Sequence, residues 1–102
     1  MRFSSPLFLG ETAQKKKNKV IKSIKTGKYM SGVYVICPAV CRSDLLDLMP
    51  AYMLHAERYR DALILGIAVS KQEAMEVGGM IISEVYEKTG GFDVRSYFAV
   101  NS

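Results

Sequence analysis

The group of residues best suited to chemistry follows the apolar run at residues 33–37. Cys41 stands beside Arg42, and a thiol next to a cation is a candidate nucleophile because its pKa is lowered. Ser43 and Asp44 come next and could begin a helix. A small thiol or anion-site enzyme built around these four residues, with Cys41 as its catalytic candidate, is therefore one hypothesis. The simpler expectation is a buried Cys37, an inert Cys41 and a protein that is not an enzyme.

Two positions on the chain have the composition of an anion site. Arg42 and Ser43 follow one apolar run, and Ser70 and Lys71 follow another. Ligands bind where the strands of an open parallel sheet end beside helix N-termini, so these four residues could hold a phosphate or carboxylate. Neither G-x-G-x-x-G nor the P-loop pattern occurs in the sequence. The simpler expectation is therefore that the serines cap helices and the cations are solvated.

Metal and cofactor chemistry have little support in the sequence. His55 is the only histidine, so a zinc site made of histidines is excluded. The acidic pairs Asp44/Asp47 and Glu84/Glu87 have i,i+3 spacing, and nothing in the pattern aligns them across a cleft for acid–base catalysis. We predict no metal site and no cofactor, and we expect His55 on an exposed helical surface.

The positive charge of the chain is concentrated near its start. Residues 1–28 carry a formal charge of +7 and residues 29–102 a charge of −3. A face with Lys15, Lys16, Lys19 and Lys22 could attract nucleic acid or another polyanion. The segment lacks interleaved aromatic residues and arginines that read base edges. A nucleic-acid partner is therefore an alternative that we do not favour from the sequence.

Length and composition are those of one globular domain. The chain has 102 residues, of which 49% are hydrophobic and 24% charged. We expect a single domain over residues 1–102, in which residues 1–11 form a flexible segment or an edge strand. The apolar run 62–69 is far too short to cross a bilayer, and the N-terminus does not have the pattern of a signal peptide. We therefore expect a soluble, cytoplasmic protein without a membrane partner.

Hydrophobic periodicity predicts alternating helices and strands. Helical spacing predicts a lysine-rich helix over residues 12–26, and continuous β-branched or aliphatic runs predict buried strands at 33–37 and 63–69. Residues 43–59 have helical spacing interrupted by Pro50, which predicts two helical stretches with a kink. A long helix over residues 71–88 and a short strand within 92–100 complete the pattern.

The most specific local signal precedes the long helix. Ser70 and Glu73 have the spacing of a capping box, in which each side chain bonds the backbone amide of the other. The apolar stripe of this helix includes Gly78, whose missing side chain would let the sheet approach closely. Gly66, in the middle of a predicted strand, indicates a close approach by a neighbouring helix or a local bend.

These elements predict a small α/β domain with about three mostly parallel strands and three helices. The alternative is an α+β fold with a mixed sheet, in which residues 2–9 or 92–100 pair antiparallel at an edge. The six methionines and the many tyrosines and phenylalanines exceed what so small a core can hold, which favours an exposed patch and a homodimer. The function that we expect is a non-enzymatic binding or self-association module.

Overall fold

A mixed four-stranded sheet organises the protein. The computed structural model describes residues 2–39 and 45–101, and the strands are β1 (Arg2–Leu9), β2 (Tyr34–Pro38), β3 (Leu46–Pro50) and β4 (Leu63–Ala68). Their order across the sheet is β1-β4-β2-β3. The pair β1/β4 is parallel, whereas β2 is antiparallel to both β3 and β4.

Helices cover both faces of this sheet. The described helices are α1 (Glu11–Lys15), α2 (Lys17–Lys25), α3 (Lys71–Thr89) and α4 (Val94–Asn101), and two 3₁₀ helices span Ala51–His55 and Glu57–Tyr59. One face of the sheet packs against α1, α2 and the 3₁₀ segment, around Val35, Ile64 and Ile67. The other face packs against α3 and α4, around Ile36 and Leu65. The pleat sends alternate side chains of β2 into these two cores, and in β4 the alternation is interrupted at Gly66, so that Ile64 and Ile67 enter the same core.

The mixed sheet confirms the α+β alternative and fits the α/β prediction only loosely. The predicted strands at 33–37 and 63–69 correspond to β2 and β4, and the predicted helix at 71–88 corresponds to α3. The expected parallel connection between the two buried strands is wrong, because β2 and β4 are antiparallel. Residues 2–9 do form an edge strand, but it is parallel to β4, so the antiparallel edge strand is β3.

The helical prediction for residues 43–59 is wrong in its described part. Residues 46–50 form β3, in which Ile36 is opposite Leu48 and Val35 is opposite Met49. Leu46 and Leu48 therefore face α3, while Asp47 and Met49 face the other layer. Only the residues after Pro50 are helical, and they adopt 3₁₀ turns. The sequence of β3 alternates over only a few residues. The apolar i,i+3 and i,i+4 pairs of the same segment therefore favoured a helix in the prediction.

The predicted strand within 92–100 is also wrong, because α4 occupies this segment. The Asp93 carboxylate accepts hydrogen bonds from the backbone amide of Ser96 (3.1 Å) and from its hydroxyl (2.9 Å). Val94 and Phe98, one helical turn apart, are both buried against α3. An acidic cap followed by an i,i+4 apolar pair was the helical signal in this segment.

The predicted helix at 12–26 is two helices that meet at Lys16. This residue ends α1 and begins α2 with φ −115° and ψ 19°, outside helical geometry. Only Ala13, Val20 and Ile24 of the two helices are buried. The thin apolar stripe that the sequence indicates is therefore present, but it is divided between two helices that do not form one continuous helix.

The close approach between α3 and the sheet occurs at Gly66 rather than at Gly78. A Cβ atom on Gly66 would lie 2.7 Å from Val77 Cγ1 and 3.1 Å from the Phe8 carbonyl oxygen. A Cβ atom on Gly78 would lie 3.5 Å from Leu48 Cδ2, which is ordinary contact. Gly66 therefore lets β4 pack against both β1 and α3, as its place in the strand indicates.

Candidate functional site

The carboxyl ends of the parallel strands β1 and β4 meet at a corner where two helices begin. Glu73, in the first turn of α3, is only 9% exposed there. Its carboxylate accepts hydrogen bonds from the backbone amides of Thr12 (2.8 Å) and Val69 (2.9 Å). The Ser70 hydroxyl accepts from the Glu73 amide at 3.1 Å. Half of the predicted capping box is thus confirmed, and the Glu73 side chain bonds Thr12 and Val69 instead of the Ser70 amide.

This carboxylate is adapted to remain charged. Burial raises the pKa of Glu73, but the amide hydrogen bonds from Val69 and Thr12 outweigh it, so the pKa lies below the ordinary value of 4.5. A Cβ atom on Gly10 would lie 2.2 Å from Glu73 Cδ, so the space beside Gly10 is filled by the carboxyl group. The chain thus places its own anion at the start of α1, where the amides would otherwise lack partners.

The four anion-binding candidates separate into two pairs. Ser70 and Lys71 are both exposed at the start of α3, and the Ser70 hydroxyl caps the helix. Arg42 and Ser43 lie outside the described residues, as do Cys41 and Asp44. The predicted anion site therefore stays a prediction, with a structural role established for Ser70 alone.

Cys37 has the role that the sequence predicts. It is buried in β2 opposite Asp47. Burial, and secondly the Asp47 charge, raise the pKa of its thiol to about 12. At neutral pH Cys37 is therefore a protonated core side chain rather than a nucleophile.

The described residues contain no cluster of three histidine, cysteine or carboxylate side chains that could hold a metal ion. His55 is exposed at the end of a 3₁₀ helix, and its ring meets the Tyr29 ring edge to face at a centroid distance of 4.8 Å. Of the acidic groups, Asp47 accepts from the Tyr59 hydroxyl at 3.0 Å. Tyr59 is itself buried in the core on the α1 and α2 side of the sheet.

The lysine candidates lie on the exposed surface of α1, α2 and the turn that follows. All seven lysines of this surface, hereafter the lysine face, are exposed: Lys15, Lys16, Lys17, Lys19, Lys22, Lys25 and Lys28. Among residues 2–39 and 45–101, the one ion pair within 4.0 Å joins Arg60 and Glu57. The ammonium groups therefore have no carboxylate partner within the described part of the chain. The predicted Lys15, Lys16, Lys19 and Lys22 are all exposed, and their joint action on a polyanion stays a prediction.

A second surface is apolar and lies on the side of α3 that is nearest to β3. The sequence alone did not locate it. Met75, Gly79, Ile82 and Tyr86 recur at helical spacing and define what we term the α3 flank. Met75 is 63% exposed and Tyr86 is 53% exposed. The Tyr86 ring stacks on Phe92, itself 51% exposed, at a centroid distance of 5.2 Å. Gly78, beside this flank, faces Leu48 of β3, which is 40% exposed.

Two features of the sequence could have indicated this apolar surface. The spacing of Met75, Ile82 and Tyr86 is a helical stripe displaced from the stripe that enters the core. Leu46 and Leu48 alternate with Asp47 and Met49, but four residues are too few for a secure strand prediction. Because the sequence analysis did not predict β3, these residues of α3 had no adjacent apolar strand and could not be distinguished from scattered exposed side chains.

Within the described residues, no helix combines the length and the apolar composition that crossing a bilayer requires. Comparison with family models, with curated proteins and with solved structures found no match for this chain. Its function must therefore be inferred from its own surfaces.

Proposed function

We propose that the protein is a non-enzymatic self-association module that forms a two-fold homodimer through β3 and the α3 flank. The observation that carries this proposal is the exposure of large apolar side chains directly beside an edge strand. We infer that these side chains form one apolar patch, and large apolar patches are uncommon on monomeric proteins and mark sites of association. The proposal includes a reducing, cytoplasmic location, which a free buried Cys37 thiol favours.

The two edges of the sheet differ in their capacity to accept a partner. In β1 the pairing with β4 shifts register between Phe3 and Phe8, and Pro6 lies within that irregular stretch. Bulges and prolines are devices that prevent edge-to-edge pairing. In β3, all five residues pair in regular antiparallel register with β2, and its own proline, Pro50, is the last residue of the strand. Within the described residues, no strand pairs with the other edge of β3.

A second copy of the chain fits this edge better than an extended peptide does. An antiparallel strand can pair with its own copy about a two-fold axis, and such an axis places the same surface on both sides. Five residues of strand offer few hydrogen bonds, so a stable dimer needs further apolar burial. The α3 flank lies on the β3 side of the helix and would meet its copy across the same axis. A peptide would leave this flank uncovered.

The oligomeric state tests the proposal directly. We expect the wild-type chain to sediment as a dimer at micromolar concentration. Met75→Glu should convert it to a monomer without changing its circular dichroism, because a charge would be buried in the interface. Met80→Glu is the matched control, since Met80 is 49% exposed on the other side of α3. A monomeric wild-type protein at 100 µM, or equal effects of the two variants, would contradict the proposal.

A further inference from the structure

The lysine face is the strongest unbalanced charge on the molecule. Its side chains are all exposed, and none has a carboxylate within salt-bridge distance among residues 2–39 and 45–101. A solvated lysine surface is commonly balanced by acidic side chains on the same helix, at i,i+3 or i,i+4 spacing. Here Glu11 is the only acidic residue in residues 1–28. The field of this surface therefore extends into solvent and attracts anions.

The buried side of α2 decides which kind of polyanion fits. A helix that lies on a membrane inserts an apolar face between lipid headgroups. Val20 and Ile24 form the apolar side of α2, and both are buried in the core with less than 2% exposure. Ile21 is already half-buried against the same core. The helix thus has no apolar side left for a bilayer, and a soluble polyanion is the better partner.

The residue types on the face decide how that polyanion would be read. Lysine is a flexible point charge, which contacts phosphates but lacks the planar fork with which arginine reads guanine. Proteins that hold single strands stack bases on exposed aromatic rings. Residues 11–28 contain no aromatic residue. Of the rings beside the face, Tyr29 is half-buried and packs against His55, and Phe3 is half-buried with its centroid 5.7 Å from the Lys25 ammonium nitrogen. These features favour a duplex backbone over exposed bases.

We propose that the lysine face binds the phosphate backbone of double-stranded nucleic acid without reading its sequence. Lys15, Lys16, Lys19 and Lys22 make the principal contacts, and each neutralises about one phosphate. The lysine face lies on the opposite side of the sheet from the α3 flank. The proposal of nucleic-acid binding and the proposal of self-association can therefore be tested independently of each other.

The experiment measures binding of labelled 20-base-pair duplexes by fluorescence anisotropy at increasing salt concentration. If four phosphates are neutralised, the logarithm of the affinity should fall with the logarithm of salt with a slope of about −3.6. That slope corresponds to a loss of roughly a hundredfold between 50 and 200 mM salt. Two unrelated DNA sequences and one RNA duplex should show the same slope, with DNA affinities that agree within about threefold.

Matched variants assign the effect to the face. Replacing Lys15, Lys16, Lys19 and Lys22 together by Gln should make the slope clearly shallower, with only Lys17, Lys25 and Lys28 of the face left. The circular dichroism should be unchanged, because none of the four is buried. The control replaces the exposed Lys71 and Lys88 of α3 by Gln and should leave the slope unaltered. The proposal is overturned by absent binding at 25 mM salt or by an unchanged slope in the quadruple variant. A tenfold sequence preference, or tighter binding to phosphatidylserine vesicles than to duplexes, would also overturn it.

Discussion

The two faces of the sheet are covered in different ways. On one face, α3 is a single helix of 19 residues with a serine cap at its start and Gly90 in the left-handed conformation at its end. On the other face, α1 and α2 have five and nine residues, and neither has a side-chain cap. The buried side of α3 consists of Glu73 and five apolar or glycine residues, whereas only three residues of α1 and α2 together are buried.

This difference shows where each face obtains its stability. Local signals, namely a cap, an apolar stripe and a glycine stop, suffice to specify α3. A helix of five residues has no independent stability in water, so α1 depends on tertiary contacts. The hydrogen bond from the Thr12 amide to Glu73 is such a contact, and it ties the weaker face to the stronger one. Three substitutions test this comparison.

The largest effect is expected at Gly66, where β4 touches both β1 and α3. In Gly66→Ala the new methyl group would lie 2.7 Å from Val77 Cγ1 and 3.1 Å from the Phe8 carbonyl oxygen. Overpacking of this kind costs about 1–3 kcal/mol, and the backbone oxygen leaves little room to relax. Chemical denaturation should show a correspondingly lower midpoint.

Val77→Ala supplies the control for this clash, because it removes the closest atom. The double variant Gly66→Ala/Val77→Ala should lose less stability than the two single variants added together. Additive losses would show that α3 does not press on Gly66, and the tight packing assigned to this face would be wrong.

The second effect concerns the tie between the two faces. Glu73→Gln retains the shape of the side chain but replaces an acceptor of two amides by a group with one acceptor oxygen. We expect a loss of about 1–3 kcal/mol at pH 7, since one buried amide is left without its partner. Hydrogen exchange should show faster loss of protection in α1 than in α3.

The pH dependence of this effect follows from the lowered pKa of Glu73. A carboxylate whose pKa is lower in the folded state stabilises the protein above its unfolded pKa, near 4.5, and this stabilisation is lost as the pH falls through the folded value. The difference between wild type and Glu73→Gln should therefore be constant above pH 6 and shrink below pH 4.5. A difference that grows in acid would show that folding raises the pKa of Glu73 instead of lowering it.

The smallest effect, of opposite sign, is expected on the exposed side of α3. A Cβ atom on Gly79 would meet no atom within 4 Å. Gly79→Ala should therefore raise the free energy of unfolding by up to about 1 kcal/mol, through helix propensity alone. The free energy of unfolding should be measured in the Met75→Glu background, which we expect to be monomeric, so that a change in self-association does not affect the measured value. Destabilisation would mean that α3 is packed on this side as well.

The sequence predicted well those elements that carry their own signals. β2 and β4 are continuous apolar runs, and α3 has both the Ser70 cap and a regular apolar stripe. It failed where two periodicities compete. Residues 46–50 satisfy a helical and an alternating pattern together, and only pairing with β2 selects the strand. The antiparallel direction of β4 relative to β2 was missed for the same reason. The predicted helical crossover between these two strands favoured a parallel pair, whereas the segment contains β3.

The candidate surfaces could be predicted to different extents for a similar reason. The lysine face needs only composition and exposure, and both can be anticipated from residues 15–28. The α3 flank requires the position of β3 beside Gly78, which is a contact between distant segments. The hydrogen bond from the Thr12 amide to Glu73 could not be foreseen either, because the pairing of β1 with β4 is what brings Thr12 close to Glu73.

The order of the strands has a consequence for how the chain assembles. β2, β3, β4 and α3 follow one another along the sequence, whereas Thr12 and Glu73 are 61 residues apart. Closing so long a loop is entropically costly, and the gain comes only when both ends already have structure. We therefore expect the segment from β2 to α3 to form first and to serve as a template. The N-terminal strand and its lysine-bearing helices would then be the last part of the molecule to dock, and the first to detach.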